Sequence, residues 1–142
     1  MKRRTLRGLL DTSELRRLIV DDGRLNHGYR VIRFEVFPYL AGGSQLTGVV
    51  LGLDYDIPSE FDASDNRQIG WAITGFTSTT TSNLGFPSSV IDPDHVVIKD
   101  LYIKNTSSAD KVNFLIELET MDLTDDQAIL TLIKERSQDD LR

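Results

Sequence analysis

The chain has 142 residues, 39% hydrophobic and 27% charged, with a formal net charge of −6 and no cysteine. That is the length of one domain, with enough apolar content to bury its own core. It excludes a disulfide framework, a thiolate metal site and a cysteine nucleophile, and without a run of eighteen apolar residues no membrane-spanning helix is expected.

The charge is unevenly distributed. Residues 1–33 carry nine Lys or Arg against four acids, a net of +5, while the remainder carries seven against eighteen, a net of −11. Residues 1–28 read as a basic N-terminal arm ahead of a body over 29–142. Within the arm, Thr12-Ser13-Glu14 is expected to start a short helix with Leu15, Leu18 and Ile19 on one face. Gly23, Asn26 and Gly28 then punctuate it as a loop. The short apolar pieces of the head, broken by charges, do not make a signal peptide, which suggests release inside a cell or exit by lysis or assembly.

From Tyr29 the pattern becomes strand-like. Tyr29 to Phe37 alternates, with Ile32, Phe34 and Val36 on one face and Arg33 and Glu35 on the other. Pro38 ends the run and residues 41–44 turn. Thr47 to Tyr55 alternates through Val49, Leu51, Leu53 and Tyr55. Gly48 and Gly52 fall on the opposite face, as at a bulge or a close backbone approach. Residues 56–67 read as loop. Ile69 to Thr77 reads as a third strand in which Trp71, between Ile69 and Ile73, is expected in the core.

Residues 78–89 form a Ser/Thr/Gly/Pro-rich loop. His95 to Lys104 reads as a fourth strand whose apolar register shifts between Ile98 and Leu101, calling for a bulge near Lys99-Asp100. Residues 105–110 turn, and Val112 to Thr120 is the cleanest strand, with Val112, Phe114, Ile116 and Leu118 inward. After it, Thr124 to Gln127 fits a capping box before Ile129, Leu132 and Ile133, favouring a short C-terminal helix over an extra strand. Strands separated by turn clusters, without a strand–helix–strand rhythm, predict an all-β fold. The expected form is an antiparallel β-sandwich or jelly-roll-like body.

Few groups carry chemistry. Asp54 with Asp56, and Asp92 with Asp94, are candidate hard-oxygen metal ligands, although Asp-rich strand ends more commonly make turns. His27 falls in a loop and His95 at a strand start. No nucleophile motif accompanies them, so no enzymatic activity and no cofactor are expected. The candidate contact residues are Lys2, Arg3, Arg4, Arg7, Arg16 and Arg17. Clustered basic residues suit phosphate, but no aromatic residue interleaves to stack bases. The leucines among them suit burial against a protein, and the charge split suits a neighbouring copy. A solubilising tail is the remaining reading.

The stretches LIVDDGRLNHGYRVIRFEVFP (18–38), FDASDNRQIGWA (61–72), VIDPDHVVIKDLYIKN (90–105), VNFLIELE (112–119) and ILTLIKERSQDDLR (129–142) resemble small virion structural proteins of marine bacteriophages. The resemblance implies a non-enzymatic capsid, decoration or capsid-associated protein, or a head–tail connector or tail component. Such a protein is made in the host cytoplasm and built into the virion in many copies. Its expected partners are copies of itself, other virion proteins, and packaged nucleic acid through the arm. A carbohydrate- or receptor-binding β-sandwich module is the alternative, with ligand on loops 38–46, 56–68 and 77–94.

Overall fold

The computed structural model describes residues 3–20, 27–39, 45–76, 89–92 and 94–122. They form nine strands: β1 (Arg3–Leu10), β2 (Leu15–Ile19), β3 (His27–Pro38), β4 (Gln45–Gly52), β5 (Gln68–Phe76), β6 (Ser89–Ile91), β7 (Val96–Val97), β8 (Asp100–Asn105) and β9 (Val112–Asp122). No helix occurs among the described residues. The strands make two antiparallel sheets, ordered β1-β9-β3-β7 and β2-β8-β4-β5-β6. Both sheets turn their apolar faces onto one shared core, as in a β-sandwich.

Period-two alternation produces this arrangement directly in β9, where Val112, Phe114, Ile116 and Leu118 are buried and the residues between them are half-buried. β3 follows the same rule with one interruption. Its register against β9 slips between Val31 and Arg33, so Ile32 is the extra residue. Tyr29 and Val31 before the bulge, and Phe34 after it, therefore all point inward.

The expected strand over 95–104 is two strands. β7 pairs with β3 in the four-stranded sheet and β8 pairs with β2 and β4 in the five-stranded one. Ile98 and Lys99 carry the chain from one sheet to the other. This crossing, rather than a bulge within one strand, resolves the register shift.

The head also departs from expectation. Residues 3–10 pair with β9 along their whole length, and residues 15–19 pair with β8. The expected short helix beginning at Thr12 is strand β2, and the expected arm supplies one edge strand to each sheet. Leu10 and Val20 are fully buried in the core. Backbone pairing to a sheet already in place outweighs the weak local helix signal of Leu15, Leu18 and Ile19. Lys2 and the C-terminal helix or strand expected after Thr124 lie outside the described residues.

Candidate interaction surface

Of the six basic residues singled out above, the five that are described lie on two edge strands joined by a turn, Arg3, Arg4 and Arg7 on β1 and Arg16 and Arg17 on β2. The Glu14 N–H donates to the Asp11 carbonyl at 3.2 Å, and Ser13 takes a φ of 54°. Asn105 fastens this turn to the neighbouring β8–β9 turn. It is fully buried; its Nδ2 donates to the carbonyls of Asp11 at 3.0 Å and Asp110 at 2.8 Å, and its Oδ1 accepts from the Ser107 N–H at 3.0 Å.

The arginines of this flank divide by role. Arg16 is structural: it forks onto Glu14 at 2.9 and 3.1 Å, donates to the Leu9 carbonyl at 2.7 Å and lies 5.9 Å from the centre of the Phe114 ring. Gly8 makes room for it, since a Cβ there would stand 2.9 Å from the Arg16 Nη1. Burial pushes the Glu14 carboxyl up. Its bond to Arg16, the Asp11 N–H and the Arg16 charge outweigh that and hold it below its ordinary value. Arg17 pairs with Asp100 at 2.6 Å while its side chain stays 59% exposed.

Arg3, Arg4 and Arg7 are exposed. Arg4 lies close enough to β2 to donate to the Ile19 carbonyl at 3.4 Å. Arg3 sits opposite Glu119 and Arg7 opposite Leu115 in the β1–β9 ladder. Part of the basic excess of the head is therefore balanced inside its own chain, by Glu14, Asp100 and the acidic strand β9. Arg4, Arg7 and the 61%-exposed Ile19 remain turned toward solvent.

The opposite flank, at β5 and β6, has a different surface. Trp71, expected in the core, is half-buried and lies on the outer face of its sheet, across from Val50 on β4 and Val90 on β6. A bulge causes this inversion. The β4–β5 register slips between Leu51 and Gly52, making Ile69 the extra residue. Ile69 and Ala72 reach the core, and Trp71 and Ile73 do not. The Trp71 indole N–H donates to the Gln68 Oε1 at 2.6 Å, and Gln68 is itself buried and bonded to the Glu60 carbonyl at 3.0 Å. The ring is thus held in one orientation.

Beside this face, residues 53–67 fold over β4 and β8. Lys104 Nζ donates to the Ile57 carbonyl at 3.0 Å, and Phe61 and Ile57 occupy the space above Gly48 and Gly52. Arg67 anchors the loop. It forks onto Asp65 at 2.9 and 2.7 Å and reaches the Asp56 carbonyl at 2.6 Å. The Arg67 hydrogen bond holds the Asp65 carboxyl below its ordinary value, against the opposing effect of burial. The glycines at 48 and 52 mark this close approach, as their placement in the sequence suggested.

Of the candidate metal ligands, the Asp54 Oδ1 accepts from the Asp56 N–H at 3.4 Å and the Asp92 Oδ1 from the Asp94 N–H at 3.1 Å. Both pairs make the Asx turns typical of strand ends. Among the described residues no group of three or more His, Asp or Glu side chains is placed to hold a metal. His27 Nε2 lies 3.4 Å from the Asp122 Oδ1 at the end of the β3–β9 ladder. Tyr39 is exposed, with Lys111 Nζ 5.6 Å from its ring centre. Phe86 and most of loop 77–94 lie outside the described residues. Sequence reading missed Asn105, Gln68 and the bond that orients Trp71. An isolated Asn or Gln in a strand carries no signal until its neighbours in space are known.

No family model, curated protein or solved structure matches this chain.

Proposed function

We propose that this protein is a non-enzymatic bacteriophage virion structural protein, a jelly-roll subunit that self-assembles in many copies. The observation that carries the proposal is the nesting of the strand pairs. β1 pairs with β9, β2 with β8, β3 with β7 and β4 with β5. This is the pattern of one long antiparallel hairpin rolled up on itself. The additional β3–β9 and β4–β8 pairs are the seams where the roll closes. Rolled double Greek keys of this kind are the subunits of many viral capsids. A fold does not by itself assign a function. The resemblance of five sequence stretches to phage virion proteins and the two unlike flanks point the same way.

Capsid, decoration and connector subunits all repeat about symmetry axes, so self-association is the property to test. Light scattering on the eluting chain, at low and high salt, should give a large, discrete assembly that weakens with salt. A monomer at both salts would refute the proposal. Deleting residues 1–20 cannot serve as the test. That deletion removes a strand from each sheet, along with Leu10 and Val20 from the core, so it should unfold the protein.

The oriented Trp71 favours one second reading, a carbohydrate- or receptor-binding module on the same fold. Rigid, half-exposed indoles are good stacking platforms. A glycan array bound by the wild type and not by Trp71→Ala would support it, and an array with no binding would remove it.

A further inference from the structure

The two flanks are complementary, and they lie at opposite ends of the same five-stranded sheet, β2 at one end and β6 at the other. The β1/β2 flank offers Ile19, whose surface is 61% exposed, with exposed Arg17 two residues before it on the same face of β2 and exposed Arg4 reaching its carbonyl at 3.4 Å. The β5/β6 flank offers an apolar face. Trp71 and Ile73 follow one another on β5, Val90 stands opposite Trp71 and is 46% exposed, and Leu46 lies one step beyond on β4 at 56%. Its rim is acidic. Glu60 and Asp62 are exposed beside Gln68, which bonds the Glu60 carbonyl, the Asp62 N–H and the Trp71 indole, and Asp92 and Asp94 are exposed just past β6.

We infer that the occupant of the acid-rimmed Trp71–Val90 face is the β1/β2 flank of a second copy of this chain, in a head-to-tail contact. The inference rests on the self-assembly reading above and specifies its geometry. An apolar patch with a charged rim marks an interaction site. Its occupant must bring apolar contact inside a rim of opposite sign, because like charges across an interface repel and complementary ones set the register. Face-to-face pairing of two such patches would oppose acid with acid. Ile19 beside Arg4 and Arg17 meets both requirements. Because the two flanks sit at opposite ends of one sheet, a subunit cannot satisfy its own patch. The contact is therefore heterologous, and each subunit added leaves one flank of each kind open until a ring or shell closes.

The test is a charge-reversal pair read by light scattering. The first variant carries Arg4→Glu, and the second Glu60→Lys and Asp94→Lys. These side chains are exposed, and circular dichroism should show both variants folded. Each variant alone should lose the assembly, and an equimolar mixture should regain it, because each reversed flank then finds its opposite on the other variant. Val90→Arg, at the centre of the face, should lose the assembly without rescue by either partner. If the wild type assembles and both reversals assemble equally well, the head-to-tail contact is wrong and the self-assembly reading stands. If only the second variant changes the assembly, the patch pairs with something other than the arginine flank, and the inference fails. A wild type that stays monomeric refutes both.

Discussion

Replacing Asn105 with alanine tests whether one buried amide holds the β1/β2 flank to the body. The side chain is fully buried and makes three hydrogen bonds, to the Asp11 and Asp110 carbonyls and from the Ser107 N–H. Each net bond stabilises by about 1 kcal/mol, and a stranded buried partner costs as much or more. The expected loss is therefore about 3 kcal/mol. For a domain of this size that lowers the melting temperature by roughly 10 °C.

Asn105→Asp is the sharper variant. It keeps the shape and the acceptor but aims a carboxylate at two carbonyl oxygens. It should be less stable than Asn105→Ala at neutral pH, because a buried charge without a partner costs more than a missing bond. It should recover part of the loss in acid, where the protonated carboxyl donates one of the two bonds. Urea titrations followed by the fluorescence of Trp71, the single tryptophan, measure all three proteins. A loss below about 1 kcal/mol for Asn105→Ala, well under the sum of its bonds, would refute the reasoning. So would an Asp variant as stable as the wild type.

Other perturbations have equally definite outcomes. Arg67→Met should cost about 3 kcal/mol in the same titration, because it leaves the largely buried Asp65 carboxylate without its forked partner. Asp65 and Glu14 both titrate below their ordinary values in the folded chain. Their stabilisation is thus complete above the unfolded carboxylate range near pH 4 and lost as pH falls through the lower folded values. Melting temperature should fall with acidification in that window, and less steeply in Arg67→Met. Gly52→Ala should destabilise by about 2 kcal/mol, since its Cβ would meet the Arg67 carbonyl and the Ile57 side chain, each at 2.7 Å. Ser13→Gly should raise stability by about 0.5–1 kcal/mol by relieving the positive φ of the β1–β2 turn; a thermal melt without an upward shift would count against that strain.

What the sequence by itself determined is the set of strands that carry their own pattern. β9 alternates strictly and its inward residues are the ones the structure buries, and Val49, Leu51 and Phe34 are buried as the alternation placed them; Tyr55, expected inward, is 73% exposed, and Ile32, expected inward, is the half-buried bulge residue. The all-β class followed from that alternation, and the close approach over Gly48 and Gly52 from the absence of side chains there. Three features were decided only by the tertiary structure. β1 and β2 are ordered by pairing with β9 and β8, whose positions lie about a hundred residues away in the chain and leave no local trace. Trp71 is turned outward by a bulge at Ile69, because one extra residue reverses the facing of all that follow. The candidate surface depends on which strands become the ends of a sheet. That order is fixed by long-range backbone hydrogen bonding, so the basic head was visible as a charge excess but its division into internal ion pairs and an open flank was not.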